Sequence, residues 1–170
     1  MSEKLGSVES VGCSIDAREF DAVANSLSEF FRGLGFVKVH TNHRLSILAA
    51  CEDPKTIATF SYAGKLWPLP QTGQMWLEHE LLNDPTLPGV FCVSTSFRNE
   101  PNPQPGRHDL IFPMFEFETH GGMEVLRKLE IGLLRHLGFI KQGGMPLCWE
   151  YDRVREFLSV TEIDWEAEGR

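Results

Sequence analysis

Two runs of strand-forming residues, 90–98 and 110–118, dominate the sequence, and the loop between them holds three prolines and a glycine within 101–106. Successive side chains of a strand point to opposite sides, so each run divides into two faces. In the first run Ser94, Ser96 and Arg98, followed by Glu100, share one face, and Phe91, Val93, Thr95 and Phe97 share the other. In the second run Phe112, Met114, Glu116 and Glu118 stand opposite Ile111, Pro113, Phe115 and Phe117. If the runs pair across the loop, one surface gathers an arginine, three carboxylates and an aromatic ring, while the other is apolar enough for a core. The plain alternative is a solvated sheet face whose cross-strand ion pairs are each worth about 0.2–1 kcal/mol. Against it stands the loop, stiffened by its prolines and followed at once by Arg107 and His108, which it can present over a pocket.

The remaining segments fall into helices and short strands. Phe20, Val23, Ala24, Leu27, Phe30, Phe31 and Leu34 recur at helical spacing, with Asp16 as N-cap, Glu19 three residues on, and Gly33 and Gly35 as the stop. A strand over 36–41 is expected next, then a hairpin from 60–62 and 65–69 around Ala63-Gly64. A second helix is expected from Thr72 as cap to the breaker Asn83-Asp84-Pro85, a third over 123–137 with Gly138 as its stop, and a weak fourth over 148–158. Helix, strand, hairpin, helix, two long antiparallel strands and helix predict an α+β domain: an antiparallel sheet with flanking helices. A chain of 170 residues without internal repeat or linker fits one domain with one core.

Composition narrows the function classes. With 24 acidic against 16 basic residues the net charge is −8, which argues against a long nucleic-acid track over the surface as a whole but leaves room for a local basic pocket. Cys13, Cys51, Cys92 and Cys148 form no metal-ligand spacing and no signal segment precedes them, which points to a reduced, cytoplasmic protein. The histidines have no ligand spacing among themselves, and Cys51 reads as a small apolar filler. No run approaches the roughly 18 apolar residues that a membrane-spanning helix needs. An arginine on a strand, an arginine and histidine from a stiff loop, and an aromatic plane suit a nucleoside triphosphate: forks for phosphate and a surface for the base.

Phe97-Arg98-Asn99-Glu100, followed by Arg107-His108, Phe112 and Glu116, resembles motif 2 of the class II aminoacyl-tRNA synthetases, in the aspartyl, asparaginyl and lysyl subgroup. The resemblance implies that Arg98 holds the ATP α-phosphate and the amino-acid carboxylate, and that Glu100 helps hold the adenine end. It also implies that Arg107 and His108 reach the outer phosphates, that Phe112 stacks on adenine, and that Glu116 and Glu118 serve the metal and ATP side. Residues 18–42 resemble motif 1, the helix and strand of that family's dimer interface, with Asn42 where a proline is usual. Ala49-Ala50-Cys51-Glu52 is similar to the mobile loop that closes over the amino acid, here through Glu52. Gln71-Thr72-Gly73-Gln74-Met75-Trp76-Leu77-Glu78 resembles the amino-acid-binding segment, within 49–80, with Gln74 as the side-chain contact. Leu77 stands where aspartate enzymes tend to carry a lysine, which tilts the expectation toward asparagine.

These matches run in order from 18 to 125, with motif 2 over 91–118. Motif 3 and an anticodon-binding barrel are not found in the sequence, so the resemblance implies a partial class II catalytic core, cut before motif 3. Its implied function is ATP-dependent activation of asparagine or aspartate to an aminoacyl adenylate, with Mg²⁺ accompanying ATP. Implied partners are the amino acid, the tRNA acceptor end and a second copy in a homodimer, with no membrane. Two alternatives stay open: a paralogue that binds or regulates without aminoacylation, and an aspartate–ammonia ligase.

Overall fold

Helix α1 (Ala17–Gly33) starts where the sequence places its cap: the Asp16 carboxylate accepts from the backbone N–H groups of Arg18 and Glu19, both at 2.9 Å. Those are two of the N–H groups that a helix start leaves without intrahelical partners. The helix ends at Gly35, whose φ of +83° is left-handed. Gly35 donates to the Arg32 carbonyl at 2.9 Å and Phe36 to the Phe31 carbonyl at 3.0 Å. The Phe36 ring then packs on Phe31, centroids 5.3 Å apart. This pair of bonds with its apolar contact is the common glycine stop, and it delivers the chain into the sheet. The computed structural model that shows this describes residues 15–42 and 54–141. Glu52, Cys51 and the fourth helix expected over 148–158 lie outside the described residues.

Strand β1 is only Val37–Lys38, not the six residues expected. Phe36 is already turned into the core, and Thr41 is buried beyond the ladder. The ladder extends one bond further, from Val39 N–H to the Phe91 carbonyl at 2.8 Å. Strands β2 (Thr59–Tyr62) and β3 (Lys65–Pro68) form the expected hairpin through Ala63 and Gly64, both at positive φ, which suits a two-residue turn. Helix α2 (Gln74–Asn83) starts one residue later than expected, with Gly73 and not Thr72 at the cap position, and ends at Asp84 before Pro85. Thr72 still serves that helix start, since its hydroxyl accepts from the Gln74 N–H at 3.0 Å.

Strands β4 (Gly89–Phe97) and β5 (Ile111–Thr119) pair antiparallel along their whole length, within a residue of the predicted bounds. The sheet order is β1-β4-β5, and β1 joins β4 in parallel. The sheet is therefore mixed and not antiparallel throughout. The reason is the connection: the hairpin and α2 lie between β1 and β4, enough chain to return to the same end of the sheet. Gly89 is required at the start of β4, because a Cβ there would stand 2.3 Å from the Phe36 ring.

The register assigns the two faces. Phe91 lies opposite Phe117 and Val93 opposite Phe115, and Phe31 of α1 covers this side, stacked on Phe91 and Phe115 and tilted against Phe117, with centroids 4.6–5.9 Å apart. On the other side Leu77 and Leu81 of α2 pack on Val90 and Cys92. Contacts divide the chain after Leu126 into two units, and every strand belongs to the first. The second unit takes up the rest of α3 (Met123–His136), a helix without buried side chains that ends at Gly138 by the same two-bond stop as α1. Among the described residues no helix is long and apolar enough to cross a membrane.

Candidate functional site

The polar face of the β4–β5 ladder is built from alternate residues. Cys92 pairs with Glu116, Ser94 with Met114, and Ser96 with Phe112, so the grouping expected from period-two spacing holds. Arg98 continues that face just past the strand end, its N–H bonded to the Leu110 carbonyl at 2.8 Å. Its guanidinium is held at two points: Nε donates to Ser96 Oγ at 2.9 Å and Nη1 to Gln71 Oε1 at 3.2 Å. Both acceptors are neutral, and both residues are fully buried. Among the described residues no carboxylate pairs with Arg98, so its charge is oriented without being neutralised.

Glu116 is the second centre. Its Oε2 accepts from the Gly73 N–H at 2.8 Å and from the Ser94 hydroxyl, and its Oε1 accepts from the Thr72 hydroxyl. A carboxylate is thus fixed at the N-terminal end of α2, where the helix dipole favours negative charge. Charge-assisted bonds of this kind are roughly twice as strong as neutral ones. Cys92 Sγ lies 4.0 Å from Glu116 Oε2. Burial, and then the Glu116 charge, push the Cys92 thiol up to about 11, while weaker contributions from Thr41 and Lys38 pull the other way. Cys92 is therefore a neutral thiol and no nucleophile at ordinary pH.

Glu118 sits beyond Glu116 on the same face, opposite Val90. Burial first, then the neighbouring Glu78 charge, raise its pKa above the ordinary carboxylate value; a bond from Gln74 opposes this and Glu116 adds to it. Gln74 Nε2 also donates to Glu78 Oε1 at 3.2 Å, one helical turn on. The structure thus brings Gln74, Glu116 and Glu118 together at the start of α2, and Arg98 with Phe112 at the far end of the ladder. Glu100 follows as a half-buried residue. Arg107 and His108 are exposed in the loop, on a turn where their N–H groups donate to the Gln104 carbonyl at 3.1 and 2.9 Å. Glu52 is outside the described residues.

One sequence reading meets a different geometry. Leu77, read as a selectivity position, is 0% exposed within the apolar cluster and presents no surface to a ligand. A cavity of about 340 Å³, lined among others by Thr41, Phe60, Thr72, Trp76 and Ser94, shares residues with the Glu116 cluster, but Arg98, Gln74 and Glu116 do not line it. Sequence reasoning missed Gln71 and Thr56, the buried residues behind Arg98. The available signal was a polar pair, Gln71-Thr72, at the entrance of a helix whose next residues turn apolar. Among the described residues no group of three potential ligands is disposed to hold a metal ion.

No protein-family model matches the sequence, and no curated protein matches it. Solved structures do match the fold. Asparaginyl-tRNA synthetase from Pyrococcus horikoshii, complexed with asparaginyl-adenylate, superposes with a TM-score of 0.63 at 19% identity, over 86% of this chain and 38% of that one. The Entamoeba histolytica asparaginyl-tRNA synthetase, also in complex with asparaginyl-adenylate, gives 0.51 at 15% identity over 84% of this chain. A protein described as an aspartyl-tRNA synthetase from Leishmania major Friedlin gives 0.52 at 19% identity over 82%. The chain spans 38% and 29% of the first two. At these identities the likeness is one of fold, and that fold is synthetase-like.

Proposed function

We propose that this chain carries the adenylate-forming part of a class II aminoacyl-tRNA ligase, activating asparagine or aspartate with ATP. The observation that carries the reading is Arg98: a guanidinium held by Ser96 and Gln71 and paired with no carboxylate among the described residues, on the face that also bears Phe112. In the proposed reaction an oxygen of the amino-acid carboxylate attacks the α-phosphorus in line. The new P–O bond forms as the bond to the β-phosphate oxygen breaks, and pyrophosphate leaves with its electron pair. Such a step depends on positioning and charge neutralisation more than on a protein nucleophile.

Arg98 bridges the α-phosphate and the attacking carboxylate, Phe112 stacks on adenine, Glu100 holds the adenine end, and Arg107 and His108 reach the outer phosphates. Gln74 and Glu52 contact the amino acid. A magnesium ion bound with a nucleotide needs only one or two protein carboxylates, so a larger cage is not required. Glu118 suits that place better than Glu116, whose oxygens already accept from Thr72, Gly73 and Ser94. When bound, the ion supplies neutralisation of phosphate charge. The asparaginyl-adenylate complexes among the matching structures support asparagine as the amino acid, with the tRNA acceptor end as the later partner. We place a homodimer interface on α1 and β1, where Phe20 and Val23 remain 38% and 54% exposed.

Calorimetry of the full chain with millimolar ATP and Mg²⁺ tests the site. Weak binding is expected, and Arg98→Ala should remove it; loss of one preorganised charge contact typically costs about 3–4 kcal/mol. Absence of heat with the unaltered chain, together with no protection of residues 107–112, would overturn the nucleotide reading.

A further inference from the structure

Gln71 is wholly buried, although a glutamine side chain is usually exposed. A buried amide left unpaired costs about 1–3 kcal/mol, so its bonds show what the fold retains it for. Its Nε2 donates to the Thr56 carbonyl at 2.8 Å and lies 2.9 Å from Thr56 Oγ1, while its Oε1 accepts from Arg98 Nη1 at 3.2 Å. The same Thr56 carbonyl accepts from the N–H of Asn99, the residue after Arg98, at 2.8 Å. Side chain and backbone at the end of β4 are thus both tied to Thr56. Ser96, also wholly buried, holds the guanidinium from the other side.

We infer that Gln71 is a positioning residue that fixes the anion-binding face of Arg98 through a buried relay from Thr56. The inference rests on the reading of Arg98 as the phosphate contact. An amide is the fitting group for this task. It donates at one end and accepts at the other, so it orients the guanidinium fork while leaving its full charge for an incoming phosphate. A carboxylate in its place would pair with Arg98 and compete with that phosphate. An apolar residue would leave the fork held at Ser96 alone, with a lower barrier to turning about its Nε–Cζ bond. The relay also joins two parts of the site, because Gln71 is followed directly by Thr72 and Gly73, clamped by Glu116, and then by Gln74. The segment proposed to contact the amino acid therefore also sets the phosphate contact.

The test uses the full chain with Gln71→Met, which keeps the side-chain length and removes both polar ends. Nitrogen-15 NMR of the arginine side chains measures rotation about the Arg98 Nε–Cζ bond, and calorimetry measures ATP affinity in the presence of Mg²⁺. Rotation should accelerate, and affinity should fall roughly tenfold, the scale of one hydrogen bond to a charged group. In an Arg98→Lys background, where no fork remains to be aligned, Gln71→Met should cost no further affinity. Unchanged rotation, or an equal loss in the Arg98→Lys background, would show that Gln71 merely supports the fold. If the unaltered chain binds no ATP, the nucleotide reading fails while the rotation measurement still decides the positioning role. Thr56→Val removes only the hydroxyl at the far end of the relay. It should act in the same direction with smaller size and stands in if the methionine variant does not fold; unchanged rotation there overturns the inference.

Discussion

The two faces of the β4–β5 ladder use the same eighteen-residue stretch of strand in opposite ways. Under α1, Phe31 touches Phe36, Phe91, Phe115 and Phe117, and the stabilisation is non-directional: apolar area leaves water and rings stack. Under α2 the ladder presents Cys92, Ser94, Ser96 and Glu116, and what matters there is which atom donates to which. The first face tolerates small shifts of any one ring. The second fixes the placement of α2 and of Arg98, because each bond specifies a direction and a partner. Apolar packing thus serves both sides, with Leu77 and Leu81 on Val90 and Cys92 under α2, whereas the directional bonds are gathered on the α2 side alone.

That contrast is open to attack by mutation, beginning with the largest effect. Phe31→Ala empties the centre of the aromatic face and should cost about 3–5 kcal/mol, read as a lower urea midpoint with unchanged slope. A loss below about 1 kcal/mol would mean that α1 is not what stabilises the sheet. Glu116→Leu leaves the Thr72 and Ser94 hydroxyls and the Gly73 N–H without their acceptor and should cost about 1–3 kcal/mol, with Glu116→Gln recovering most of it. A leucine variant as stable as the parent would place Glu116 among dispensable surface charges.

Glu118 sharpens the comparison through pH. Burial and the Glu78 charge hold its folded pKa above the ordinary carboxylate value, so the folded chain binds that proton more tightly than the unfolded one. Its contribution is therefore favourable in acid and is lost as pH rises from the ordinary carboxylate range through the raised value. Glu118→Gln should raise Tm relative to the parent at about pH 7 and give no gain at about pH 3, which thermal unfolding at the two pH values checks. An equal gain at both would assign the effect to packing. Phe20→Asp should have the smallest effect on stability, within about 0.5 kcal/mol, because Phe20 lies outside the ring cluster. If the proposed interface exists, that substitution halves the mass seen by sedimentation equilibrium; a parent chain already at monomer mass would end the proposal.

What the sequence determined by itself was local or periodic. Asp16 and Gly35 bound α1 because capping needs only neighbours a few residues away. Ala63-Gly64 made the hairpin because few residue pairs accept its positive φ values. Alternation along β4 and β5 separated Phe115 from Glu116, and the ladder kept that separation because a strand has only two sides. Arg98, Phe112, Glu116 and Glu118 were therefore legible as one surface before any contact was known. Tertiary structure decided what periodicity does not encode. It cut β1 to Val37–Lys38 by drawing Phe36 into the core, and set β1 parallel to β4. It also removed Leu77 from any pocket by burying it on Val90 and Cys92. Above all it placed Gln71 behind Arg98 and Thr72-Gly73 on Glu116, partners 27, 44 and 43 residues apart in the chain. Such pairs form only when separate elements are packed together, because the bonds that orient a charge are satisfied by whichever distant atoms the packing brings within about 3 Å.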